Sequence, residues 1–326
     1  LLGGLGTGVG PMPGADPLVA ARTAFDEVAL PFVPELPARG LGADPVGRTA
    51  ALLVDIPVDV IGGDYRLASG PTRLMSRADG YLRSDLDAVE EVVERSGSSS
   101  PVKLSVLGPF SFAAVAELPG GHKLVHDAGA WRDVAASLAE GVALRADDLA
   151  RRLGGEIVVQ LDEPLVGRVI DGQITPLTRL DVNPPIPVAD VAAVLTEITE
   201  RIGRPVVLHT GALRRWDLVA TLPGCAASFD LTRVAIDEYD MLGDFLDGGG
   251  GLIAGVVPAS EPAAPVSVDE LAAGVVGLVD RIGLPRAVLT EQVAVAPTGG
   301  LAEAGDWAGR ALGLCTRVAE QFRHVD

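Results

Sequence analysis

From Ala130 onward, short apolar runs alternate with stretches of helical period, and that alternation restricts the chain to a parallel sheet wrapped by helices. Ala130–Leu153 puts Val134, Leu138, Val142, Ala146 and Leu149 on one helical face and stops at Gly154-Gly155. It delivers Glu156–Pro164 (EIVVQLDEP), an apolar run that reads as a strand buried on both faces. Two carboxylates, Asp162 and Glu163, close this strand, and Pro164 ends it. Residues 168–182 read as a hairpin excursion turning at Asp171-Gly172. The order then becomes regular, with helices expected at Val188–Ile202, Leu213–Leu222, Asp237–Leu246, Ser267–Ile282 and Ala302–Phe322. Between them fall strands Pro205–Leu208, Ala226–Phe229, Leu252–Val257 and Ala287–Val295.

The first hundred residues are less regular. Leu5–Val9 is a short strand candidate rich in glycine, and Pro11-Met12-Pro13-Gly14 turns the chain. Asp16 caps an expected helix to about Val28, and Leu30–Gly40 is punctuated by proline and extended. Asp44-Pro45 opens a helix through Leu53, and a Ser84…Asp87 capping pattern starts one that runs to Arg95. Tyr65–Ala68 and Pro101–Leu107 are the flanking strands, and Ser96–Ser100 is a surface loop. Roughly eight strands alternating with helices predict an α/β fold, a single (β/α)8 TIM barrel spanning 1–326. No repeat of fixed period is present, and no G-x-G-x-x-G with a following ribose acid calls for a nucleotide cofactor.

A net charge of −18 and 4% aromatic residues exclude nucleic acid and anionic membrane as partners, leaving a small molecule as the expected one. Charges interrupt every apolar run before the ~18 residues that a membrane helix needs. The apolar start lacks a basic region, so no signal peptide is read, and Cys225 with Cys315 makes no disulfide framework. A reducing cytoplasm is the expected location. Oligomeric state is left open.

The polar signals fall just after apolar runs: Asp162 and Glu163, His209 after PVVL, and Asp230 after AASF. In a parallel barrel the carboxyl ends of strands are where ligands bind, which makes these four the candidate catalytic residues. Each also has a plainer role available: a solvated acidic turn, a satisfied core histidine, an aspartate paired with Arg233. Cys225 and Cys315 read as small buried hydrophobes. Packing is the default for Trp131, Trp216 and Trp307.

Taken together, the strand ends resemble the catalytic barrel of cobalamin-independent methionine synthase, of the uroporphyrinogen decarboxylase/methionine synthase-like superfamily. VVQLDEP (Val158–Pro164) is similar to the family's strand ending in Asp-Glu-Pro, whose acids hold an amino acid's ammonium. VVLHTG (Val206–Gly211) resembles its strand ending in His-x-Cys, and ASFDLTR (Ala227–Arg233) the strand carrying a ligand Glu. VAPTGGL (Val295–Leu301) resembles the loop that brings the last zinc cysteine, and GTGVGPMPG (Gly6–Gly14) its opening turn. The resemblance implies transfer of a methyl group from a folate to homocysteine or another thiol, with zinc activating the thiol. It places Asp162, Glu163, Gly10 and Pro11 around the substrate and His209 with Asp230 on the metal. The two cysteine positions, however, are Gly211 and Gly299, and the serine of the opening turn is Pro11. Two donors do not make a tetrahedral zinc site, so a metal-free paralogue that binds or regulates stands beside the methyltransferase. A metal-free lyase of the decarboxylase type is a third expectation.

Overall fold

The computed structural model describes residues 2–97, 100–211 and 215–324. Strands β1 (Val58–Ile61) and β2 (Asp64–Leu67) form a two-stranded antiparallel sheet. The main sheet is parallel and runs in chain order: β3 (Val102–Leu107), β4 (Ile157–Asp162), β5 (Val206–Gly211), β6 (Ala226–Asp230), β7 (Leu252–Val257) and β8 (Val293–Pro297). All positions of β3, β7 and β8 are buried, as expected for a sheet covered by helices on its outer face and filled by side chains within.

Among the described residues the main sheet therefore has six strands where roughly eight are expected. The first expected strand makes a single bridge, Gly6 to Val295, and the segment at 30–35 bridges Phe32 to Lys103. Backbone hydrogen bonds continue that contact, from Leu30 N to Gly6 O (3.0 Å), Lys103 N to Pro31 O (2.8 Å) and Glu35 N to Gly10 O (3.0 Å). The composition explains why no ladder develops. Pro31 and Pro34 have no N–H to donate, and the glycines at 6, 8 and 10 pack through their backbone. Gly8 is pressed so closely to Phe32 that a Cβ there would lie 2.3 Å from its ring.

Other expectations are corrected in detail. The hairpin over 168–182 is absent: Val166–Ile170 is helical, and no strand forms in the remainder, where Pro176 breaks any ladder and Pro184-Pro185 follow directly. Tyr65–Ala68 belongs to the small hairpin instead of the main sheet. The helix expected from Ser84 begins at Arg73, capped by Thr72, because the polar residues Ser84 and Asp87 lie on its solvent face. Ala287–Glu291 is a helical turn preceding β8. In the helix expected at Leu213–Leu222, Leu213 lies outside the described residues, and the described helix is Trp216–Val219. Ser98 and Ser99 of the expected serine loop also lie outside them.

The helix Ala128–Leu153 packs its apolar face, including Val134, Leu138, Val142 and Leu149, into the core behind β4. Its N-cap is Asp127, which accepts hydrogen bonds from Gly129 N (2.8 Å) and Ala130 N (3.0 Å). Asp127→Ala should cost ~1 kcal/mol in urea unfolding, the usual worth of such a cap.

Candidate active site at the carboxyl ends of the strands

Parallel pairing brings the strand ends together. Asp162 and His209 are direct register partners across β4 and β5, and His209 is the partner of Ser228 across β5 and β6. Neighbouring strands lie ~4.8 Å apart, so in-register side chains stand side by side on one face. Asp230 closes β6 one step further round the sheet. Asp162, His209 and Asp230 thus share one end of the sheet, while Cys225 precedes the opposite end of β6 and Cys315 lies in helix Trp307–Gln321. Burial pushes the Cys225 thiol up to about 11 and raises Cys315 as well.

Glu163 is placed differently from its neighbour. It is fully buried, and its carboxylate accepts from Phe110 N (2.9 Å), Ser111 N (2.7 Å) and Ser111 Oγ (2.7 Å). It therefore clamps the start of helix Pro109–Val115 to the end of β4. Burial lifts its pKa to about 7 against the opposing pull of those three hydrogen bonds.

The acid that joins Asp162 is Glu35, which lies in the segment read as an extended loop. Glu35 is 2% exposed, yet its carboxylate makes no hydrogen bond among the described residues; the nearest cation, Arg48 Nε, is 4.0 Å away. Burial raises its pKa, and the Asp162 carboxyl is raised well above its usual value by burial and by the Glu35 charge. One Asp162 oxygen accepts from Gln160 Nε2 at 2.7 Å. Gln160 also donates to Val9 O (2.8 Å), and its Oε1 accepts from Lys103 Nζ at 2.5 Å. Lys103 is wholly buried, and desolvation lowers its pKa to about 8 despite the attraction of Asp162 and Glu35. Gly10 lies against this cluster: a Cβ there would be 3.2 Å from Ser105 Oγ and 3.5 Å from the Glu35 carboxyl carbon. Pro11 packs beneath Gly300, and its carbonyl accepts from Leu301 N at 2.8 Å.

His209 and Asp230 engage their own neighbours. His209 Nδ1 lies 2.9 Å from Ser228 Oγ, and burial together with the Lys103 charge holds its pKa down to about 4, so the ring is neutral. Asp230 accepts from Thr232 N (3.1 Å) and Thr232 Oγ1 (2.5 Å) and pairs with Arg233 Nε at 3.1 Å. Among the described residues no three His, Cys, Asp or Glu side chains gather as a metal-binding group. The donors do not fit the zinc that the resemblance implies: one imidazole, one carboxylate already occupied by a turn and an arginine, and no thiolate. A cavity of ≈ 740 Å³ opens at the other end of the sheet against Trp216, Leu222, Cys225 and Phe245, and none of the strand-end acids line it.

A curled parallel sheet with helices outside and convergent polar groups at its carboxyl ends defines a TIM-barrel-like α/β protein. A family profile described as "Cobalamin-independent synthase, Catalytic domain" matches residues 5–321, and the chain belongs to that family. The fold agrees with two solved structures at 12% identity. A methyltransferase from Methanosarcina mazei aligns over 94% of this chain and 86% of its own with a TM-score of 0.56. A B12-independent methionine synthase from Shewanella sp. W3-18-1, in complex with selenomethionine, aligns over 80% and 71% with a TM-score of 0.51. No curated protein sequence matches the chain. No helix among the described residues is long and apolar enough to cross a membrane.

Glu35 could have been found in the sequence by one signal: an acid between two prolines, in the second apolar segment ahead of the regular alternation.

Proposed function

We propose that this chain is a methionine-synthase-like protein whose mouth binds a small molecule through a protonated amino group, held between Glu35 and Asp162. The observation that carries this reading is the buried Glu35 carboxylate, which accepts no hydrogen bond among the described residues and stands close enough to Asp162 for its charge to raise the Asp162 carboxyl. Two buried acids are only partly offset by Lys103 and Arg48, and an ammonium between them would add positive charge and supply the donors that Glu35 lacks. In this reading the segments at 5–11 and 30–35 complete the six strands into a closed (β/α)8 ring, and Gly10 gives the ligand close access to the backbone.

The experiment is calorimetric titration with L-methionine and L-homocysteine at pH 7.5. Asp162→Asn and Glu35→Gln are each expected to weaken binding about 10–100-fold, the worth of one charge-assisted hydrogen bond. Affinity unchanged from the parent chain in both variants would refute the site. A second reading, methyl transfer from a folate to a thiol in methionine biosynthesis, is favoured by family membership. It requires that homocysteine-dependent turnover of methyltetrahydrofolate appear, and that added zinc increase it.

A further inference from the structure

The amine site leaves the ligand's other end undefined. We infer that this end carries a neutral hydrogen-bonding group, such as a hydroxyl, carbonyl or amide, so that the ligand is a short polar amino acid held without a metal. This rests on the amine site proposed above and on three further observations.

His209 stands beside Asp162 in register, one strand spacing or ~5 Å away. Its Nδ1 is held at 2.9 Å by Ser228 Oγ, and its Nε2 makes no hydrogen bond among the described residues. A ring fixed through one nitrogen presents the other as a directional hydrogen-bonding group. The span from Asp162 to that nitrogen suits a ligand with a few bonds between its ammonium and its polar end.

The second observation concerns what a thiol would need. Without a metal or an adjacent cation a thiol keeps its ordinary pKa of ~8.5, and it is a weak hydrogen-bonding group. Asp230, the other metal donor that the resemblance implies, has both oxygens committed to Thr232 and Arg233.

The third is the backbone. Gly211, one of the two positions where the family carries a thiolate, adopts φ +64° at a break in the β5–β6 register. An L side chain in that region costs ~1–2 kcal/mol, so the strand end has a shape that disfavours cysteine. At Gly299 a Cβ would meet only Ala259, at 3.9 Å. Open room thus replaces the lost side chains, and it suits a ligand group directed at His209.

The test uses the full chain treated with EDTA and titrated calorimetrically with L-homoserine, with its carbon isostere L-norvaline, and with L-homocysteine with and without zinc chloride. Homoserine is expected to bind without metal and about tenfold more tightly than norvaline, one hydrogen bond's worth. His209→Ala should abolish that preference, and His209→Gln, which retains a hydrogen-bonding group, should restore part of it. Circular dichroism checks that both variants fold. Homoserine and norvaline binding equally, with Asp162→Asn still weakening both, overturns this inference and spares the amine site. Zinc-dependent homocysteine binding tighter than that of homoserine overturns it too. If neither amino acid binds the unmodified chain, the amine site falls with it.

Discussion

Replacing Glu163 by alanine should destabilise the fold by about 3–5 kcal/mol, because it strands two buried N–H groups and a buried hydroxyl at ~1–3 kcal/mol each, with incomplete additivity. The donors are Phe110 N, Ser111 N and Ser111 Oγ, and Ser111 Oγ in turn accepts from Leu165 N at 3.0 Å. Removing the carboxylate therefore loosens β4, helix Pro109–Val115 and the turn after Pro164 together. The effect also has a pH signature. The folded pKa of about 7 lies above the ordinary 4.5, so between those values the native state holds a proton that the unfolded chain releases. Stability from this group is complete below pH 4.5 and is lost as pH rises through 7, by up to ~3 kcal/mol. Urea unfolding should show a larger loss for Glu163→Ala at pH 5 than at pH 8. A loss under ~1 kcal/mol at both would mean that water replaces the clamp.

The placement of Glu163 marks how far the sequence could be read. That β4 ends at Asp162 is legible, since the apolar run and Pro164 bound it, and β3, β5, β6 and β7 are legible for the same reason. Side chains alternate along a strand, so Asp162 and Glu163 cannot both face the same side; the adjacency that suggests a paired site in the sequence is, in three dimensions, a division of labour. His209 and Asp230 were legible as strand ends, but their partners Ser228, Thr232 and Arg233 depend on register. Glu35 was not legible as a site residue because its segment has no periodicity. It is held by single bonds to Gly10 and Met12, residues more than twenty positions away that only the folded chain brings near. The hairpin expected over 168–182 failed for the converse reason: Asp171-Gly172 does turn the chain, but the prolines after it leave no strand to pair.

Lys103→Met should produce the opposite pH dependence. Lys103 Nζ reaches Val9 O (3.2 Å), Ser105 Oγ (3.3 Å) and Gln160 Oε1 (2.5 Å), so it ties the amino-terminal segment to β3 and β4 and offsets Glu35 and Asp162. Methionine keeps the length and loses the charge, leaving Arg48, at 4.0 Å from Glu35, as the nearest compensation. Breaking a buried charge cluster in this way typically costs about 3–5 kcal/mol. The two acids already have raised pKa values, and loss of Lys103 raises them further. For such groups the native state holds protons that the unfolded state sheds, so stability is retained at low pH and lost as pH climbs through the folded values. The deficit of Lys103→Met should therefore be larger at pH 7.5 than at pH 5; both lie below the lysine's own pKa of about 8, where its charge is present in the parent protein. A deficit equal at the two pH values would mean that Lys103 acts through packing alone. An ammonium ligand would do for the acids what the lysine does only in part. The variant's stability should thus respond to L-homoserine more strongly than the parent's, by the linkage between binding and folding, and this difference would join the cost of the cluster to its use.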